Sequence, residues 1–250
     1  MATVNAQEHR TPLLAQQPTQ AYLHWLDDWL ASRPRVSLVA AESVLVVVDM
    51  LDGFCRQGPL ASPRIAAIVD CVTALVATFQ EAGGHHVLLP QDAHRPDDAE
   101  FAWYPPHCLA GTDQARTVAP LAALAGPGWQ VVPKHTISAL AEQEFRTALG
   151  QLVDPDHRPT FVVIGNCTDL CIYQAAMGIM LNTPGAQVVL PHRAVATYDL
   201  PVEAPGGPHP GDLLHAVFLA HMASNGVQVV EDIRWQMAGT EDAAPAPRTA

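Results

Sequence analysis

Hydrophobic positions in this chain gather in short apolar blocks, with longer stretches of helical period between them. Ser43–Val48 (SVLVVV), His86–Leu89, Trp129–Val132, Phe161–Ile164, Gln187–Leu190 and Val227–Val230 are the blocks. A strand covered on both faces has no polar side to present, so it reads as a near-continuous apolar run rather than as alternation. Arg64 to Gly83, Ser138 to Leu152, the residues from Cys171 onward and Asp212 to Asn225 carry the helical patterns, and Gly83-Gly84 supplies a stop for the first. Strands alternating with helices predict a parallel sheet joined by right-handed crossovers. The expected fold is α/β, a three-layer α/β/α arrangement of a six-stranded parallel sheet with helices on both faces.

The ends read differently. From Gln20 to Arg33, Leu23, Leu26 and Leu30 recur at helical spacing with Trp25 and Trp29 beside them. This predicts a helix over 21–33, packed on its own core or laid over a neighbouring subunit. Residues 1–20 are polar and rich in Gln and Thr, and the tail from Met237 is rich in Ala and Pro. Both are expected to be disordered, which leaves residues 21–236 as a single domain. Ala93 to about Gly126 is a long irregular stretch, and loops of that length in compact domains are usually functional or disordered. No internal repeat of 20–50 residues and no Gly-rich phosphate loop of the GxGxxG or GxxxxGK[ST] type occurs.

Chemistry collects at one edge of this arrangement. In the stretch Phe161 to Met177 (FVVIGNCTDLCIYQAAM), Gly165 ends a strand, Thr168 and Asp169 are expected N-caps, and Cys171 falls in the first turn of the next helix. There the helix dipole and free N–H groups favour an anion, so the thiol is expected to ionise more readily than a free one. Ligand crevices in open α/β sheets lie beyond the carboxyl ends of the strands. The first strand delivers Asp49 there, the second Asp92 and His94, the third Lys134, and the fourth leads to Cys171. Alone, Asp49 reads as a turn acid, Lys134 as an exposed lysine and Cys171 as a small buried residue. Together they place an acid, an ammonium and a thiol in one crevice, a candidate nucleophile with its activating groups.

These segments, in this order, resemble the isochorismatase-like cysteine hydrolases, and within them the nicotinamidases (pyrazinamidases), over about Ser43 to Val230. The segments are VVVDMLDGF, VVPKHTISAL and GNCTDLC. The resemblance implies a triad of Asp49, Lys134 and Cys171, an oxyanion held by the backbone N–H groups of Cys167 and Cys171, and a cis peptide bond before Cys167. Leu51 stands where the family carries Gln, a departure that loosens polar contacts in the pocket. Asp92-Ala-His94 and Tyr104-Pro-Pro-His107-Cys108 match the family's metal loop, with Glu100 seven residues before His107. The resemblance therefore implies one divalent ion, Zn, Mn or Fe, on Asp92, His94, Glu100 and His107, carboxylate and imidazole being suitable ligands for all three. It further implies that Phe54 and Tyr104 sandwich the substrate. The implied reaction is deamination of nicotinamide to nicotinate and ammonia through a thioester. Alternatives are a relative acting on an N-carbamoyl compound, a maleamate or a ureide, isochorismatase itself, or a non-catalytic binding protein. The metal loop speaks against the other amidases, the cysteine against a vinyl-ether hydrolase, and the complete triad against a relic.

Composition narrows the partners. A net charge of −12 with only 15% charged residues argues against nucleic acid or an anionic membrane surface. No apolar run approaches the about 18 residues that span a bilayer, and MATVNAQEHR lacks the features of a secretory signal. Five cysteines, an odd number at low density, fit a reducing compartment, so a cytoplasmic location is expected. The low charge density over 250 residues suggests surface covered by another copy, a homo-oligomer acting on a small-molecule amide.

Overall fold

The computed structural model describes residues 17–153, 158–204 and 206–239. Its first half contains α1 (Gln17–Ala31), β1 (Arg35–Val39), β2 (Ser43–Val48), α2 (Asp52–Cys55), α3 (Pro63–Ala66), α4 (Val69–Glu81), β3 (His86–Asp92), α5 (Ala119–Ala122) and β4 (Trp129–Lys134). Its second half contains α6 (Gln143–Leu152), β5 (Thr160–Asn166), α7 (Cys171–Asn182), β6 (Gln187–Pro191), β7 (Val195–Ala196), α8 (Gly211–Ser224), β8 (Gln228–Val230) and β9 (Asp232–Gln236). The main sheet is parallel in the order β4-β3-β2-β5-β6-β8. Two-residue β7 pairs with β5 off this path, making seven strands where the apolar blocks predicted six.

Every residue of β2 is buried, the reason its run SVLVVV has no polar alternation. Strand side chains point alternately to opposite faces, so Leu45 and Val47 join one core while Val44, Val46 and Val48 join the other. The first core takes Val72, Leu75, Val76 and Phe79 from α4; the second takes Phe145 from α6, Ile172 and Ile179 from α7, and Leu219 from α8. Full burial of each Val, Leu or Phe contributes about 1.5–3 kcal/mol, which makes these two faces the main source of stability. The helical stretch Pro63–Glu81 is long and apolar enough to cross a bilayer by length and composition. Its apolar face at i, i+3, i+4 and i+7 packs into the first core, as in a core helix.

Several boundaries differ from the periodicity. β3 runs on to Asp92 and β4 to Lys134, and those two residues are partners across the ladder. Asp92 and Lys134, expected just past their strands, are thus the last residues of them, while Asp49 follows β2. The helix expected from Ser138 starts as a short 3-10 turn, Ala139–Ala141, before α6, and the irregular stretch from Ala93 holds two further 3-10 turns and α5. α1 begins at Gln17, ahead of the expected 21, and packs Leu26 on Ala216 and Ala220 of α8. Residues 1–16 and 240–250, where most of the disorder was expected, lie outside the described residues. A second, two-stranded parallel sheet joins β1 to β9, in register from Arg35↔Asp232 to Val39↔Gln236.

Candidate active site

The strand order reverses direction between β2 and β5, where a crevice opens at the carboxyl ends. The two strands approach closely there: a Cβ on Gly165 (φ 115°) would stand 2.0 Å from the Val48 carbonyl oxygen. Asp49 leaves β2 with φ 52°, a left-handed conformation that Asp tolerates better than most residues. Its carbonyl oxygen accepts from Asn166 Nδ2 at 2.6 Å, and its Oδ1 accepts from the Asp92 N–H at 2.9 Å. The Asn166–Cys167 peptide bond is cis, as the resemblance implies.

Lys134 is the centre of the site. Its Nζ lies 2.8 Å from Asp49 Oδ2 and 3.7 Å from Cys171 Sγ, and it donates to Asp92 Oδ1 as well. The ammonium donates to Asp92 and Cys171, and its contact with Asp49 is an ion pair in which Oδ2 accepts no hydrogen bond. Asp49 and Lys134 are fully buried, and Cys171 is buried in the first turn of α7. Burial alone would push the Lys134 ammonium down, but Asp49 and Asp92 outweigh it and hold it well above the ordinary lysine value. Burial and the Asp92 carboxylate raise Asp49 to about 6, against the pull of Lys134.

Two expectations for Cys171 and its helix are overturned. Its thiol is pushed up, not down: burial outweighs the pull of the Lys134 ammonium, and Asp49 and Asp92 add to the rise. The surroundings of Cys171 thus favour the neutral thiol, with the Asp49 carboxyl across Lys134 raised to about 6. Thr168 and Asp169 do not cap α7, whose N-cap residue is Leu170 with no side-chain cap bond. Their side chains reach His215, Thr197 and His209 instead.

Beside this group, Asp92, His94, Glu100 and His107 turn one ligand atom each toward a common point, all within 4.8 Å of one another. His107 Nε2 is 3.4 Å from Asp92 Oδ2, and His94 Nε2 is 3.5 Å from Asp92 Oδ1. Glu100 Oε1 lies 3.8 and 3.9 Å from the two Nε2 atoms. Donors at about 2.0–2.1 Å from a tetrahedral ion are about 3.4 Å apart, close to these separations. The rings are fixed from behind: His94 Nδ1 is 2.9 Å from Asp98 Oδ2, and His107 Nδ1 donates to the Pro105 carbonyl at 2.9 Å. His94 Nε2 and Glu100 Oε2 are buried without a hydrogen-bond partner. Two orphaned donors on an acid-rich, imidazole-rich cage fit a divalent cation. Burial would raise the Asp92 carboxyl, but Lys134, His107 and His94 hold it well below the usual range.

A cavity of ≈ 410 Å³ opens over both groups, lined by Cys171, Cys167, Asp92 and His107 with Phe54, Tyr104, Trp103 and Tyr198. Phe54 meets His107 at 5.6 Å between ring centroids and Tyr104 meets it at 6.4 Å, so both rings lie beside the Asp92–His94–Glu100–His107 group. A larger depression of ≈ 820 Å³ follows β4 and α6 on the outside and holds none of these groups. Leu51, at the family's Gln position, is fully buried in the first core. The linear pattern did not single out Asn166, Asp98 or Tyr198. Asp98, four residues after His94 and next to a ligand loop, is the one that spacing could have flagged.

The fold and this geometry define an α/β enzyme with a cysteine at the switch point of its sheet. The family model for the isochorismatase domain matches residues 43–231, and the chain belongs to the isochorismatase family. It is 29% identical over 213 residues to nicotinamidase 1 from Arabidopsis thaliana, covering 77% of this chain and 86% of that one. It is 33% identical over 157 residues to a streptothricin hydrolase from Streptomyces noursei, covering 63% of this chain and 50% of that one. Among solved structures, the zinc complex of pyrazinamidase from Pyrococcus horikoshii superposes with a TM-score of 0.61 at 22% identity, over 76% of this chain and 99% of that one.

Proposed function

We propose that this chain is a metal-dependent cysteine amidohydrolase that converts nicotinamide to nicotinate and ammonia. The observation that carries the reading is Lys134 Nζ in simultaneous contact with Asp49, Asp92 and Cys171 Sγ. As the carboxamide carbon approaches, Asp49, raised to about 6, takes the thiol proton, and the Lys134 ammonium stays beside the forming thiolate. Sulfur adds to the carbon, and the oxyanion is received by the backbone N–H groups of Cys167 and Cys171. Asp49 returns its proton to the leaving nitrogen, ammonia departs, and water then cleaves the thioester to free the acid and restore the thiol. Asp92, His94, Glu100 and His107 would hold one Zn, Mn or Fe ion, whose chemistry when bound is Lewis acidity toward the substrate's ring nitrogen. Phe54 and Tyr104 stack on the ring.

The nicotinamidase relative, covered over 86% of its length, supports the substrate. The streptothricin hydrolase match supports a second reading, a larger amide in the same cavity. Ammonia release from nicotinamide against a panel of N-carbamoyl compounds, maleamate, ureides and larger amides separates the two. The expected result is preference for nicotinamide, lost after chelation and regained with added metal; a chelation-insensitive preference for another amide sinks the reading.

A further inference from the structure

The Thr168-Asp169 pair, freed from capping, fastens a segment that forms part of the cavity. Asp169 Oδ1 accepts from Thr197 Oγ1, and Asp169 Oδ2 lies 2.8 Å from His209 Nε2. The His209 ring stacks on Tyr198 with centroids 3.6 Å apart and planes 16° apart, and its Nδ1 donates to the Tyr198 carbonyl at 3.0 Å. Leu200 and His209 exchange both backbone hydrogen bonds, at 2.9 and 3.0 Å. The Gly211 N–H donates to Asp199 Oδ1 at 2.7 Å, and a Cβ on Gly211 would stand 2.5 Å from the Tyr198 carbonyl oxygen, so only glycine lets α8 start this close. Arg64 Nε adds a bond to the Thr197 carbonyl at 3.1 Å. Each residue from Thr197 to Leu200 is thus tied down, and Tyr198, Asp199 and Leu200 line the ≈ 410 Å³ cavity beside Cys167 and Cys171.

We propose that Tyr198 is a ring-binding wall of the substrate cavity, and that Asp169 and His209 are positioning residues that set it for an amide carrying a planar aromatic ring. This rests on the amidase reading of the site. Three features carry it. Tyr198 joins Phe54, Trp103 and Tyr104 in the lining, so four aromatic side chains border the cavity that Cys171 also lines. Its plane is fixed by a face-to-face contact with a buried imidazole rather than by loose packing. The anchor, Asp169, is two residues from Cys171, so the wall and the nucleophile are held by the same short segment. A stacked ring contributes on the order of ten-fold in binding, whereas a freely turning one contributes less.

The test is KM and kcat of Tyr198→Ala, Tyr198→Phe, His209→Ala and Asp169→Ala on whichever amide the parent enzyme hydrolyses best. The expected result is an aromatic best substrate, a KM raised about ten-fold in Tyr198→Ala and about three-fold in His209→Ala and Asp169→Ala, with the loss in KM rather than kcat. Tyr198→Phe, which keeps the ring, should keep the parent KM. An unchanged KM in Tyr198→Ala, a Tyr198→Phe as impaired as Tyr198→Ala, or an aliphatic best substrate overturns the proposal. An aromatic best substrate other than nicotinamide, with the same KM pattern, leaves the wall standing and removes only the nicotinamide assignment. Alkylation of Cys171 by N-phenyl iodoacetamide against iodoacetamide, read by mass spectrometry, repeats the test without turnover: the preference for the aryl reagent must fall in Tyr198→Ala.

Discussion

The site has two halves that share one carboxylate, and they are built on opposite terms. In the half formed by Asp49, Lys134 and Cys171, strand ends and the first turn of α7 hold the groups, and the Lys134 ammonium faces two carboxylates and the sulfur. In the half formed by Asp92, His94, Glu100 and His107, three of the four groups come from a loop, and His94 Nε2 and Glu100 Oε2 are buried without a partner. The first carries its own cation, Lys134; the second turns two carboxylates and two imidazoles toward a common point. Asp92 belongs to both, with Oδ1 to Lys134 and Oδ2 3.4 Å from His107. The difference teaches that burial of charge has two resolutions, an internal counter-ion or an external one, and that a single acid can join them.

The comparison can be broken at several points. The largest effect should come from Cys171→Ala, which is expected to cost about 10³-fold or more in kcat/KM while leaving metal content, measured by elemental analysis, unchanged. Lys134→Met strands Asp49 and Asp92 in the interior and should cost about 3–5 kcal/mol in denaturant unfolding, since removing one partner of a buried ion group leaves the other uncompensated. His107→Ala should lose bound metal and weaken nicotinamide selection, yet leave the reaction of Cys171 with a small alkylating reagent intact. Asp98→Ala, acting only behind His94, should weaken metal binding by about 10–100-fold in a competition titration, with little change in thermal midpoint.

The smallest effect probes the shared acid. Asp49 must be unprotonated to receive the thiol proton, so kcat/KM should fall as pH drops through about 6 and level off above it. Because Asp92 repulsion contributes to that raised value, loading a cation on Asp92 should move the acid limb to lower pH. Profiles with and without added zinc measure it. A limb that stays put on loading would show the two halves to be electrically separate.

Much of this was legible in the linear pattern where the physics is local. The unbroken runs of β2 and β5 state double-sided burial, and Asp49, Lys134 and Cys171 follow from where such runs end. Asp92, His94, Glu100 and His107 were legible from the resemblance of the loop. What failed depends on partners far along the chain. Asp169 looks like a cap because caps are local, but its partners Thr197 and His209 are 28 and 40 residues away. The direction of the Cys171 shift was misjudged because the helix N-terminus is visible in sequence, whereas burial and two neighbouring carboxylates are not. Strand β1 is hidden for the same reason: RVSLV is short and half-covered, and among the described residues its ladder partner is β9, at Asp232–Gln236.

That last pairing has a consequence for how the molecule is made. The partner of Arg35–Val39 is Asp232–Gln236, and α1 rests on α8, so α1 and β1 cannot complete these contacts until α8 and β9 have been synthesised. A shortened chain that stops before β9 would keep every reactive group of the crevice and the seat of α1 on α8, and still leave Arg35–Val39 without its ladder partner.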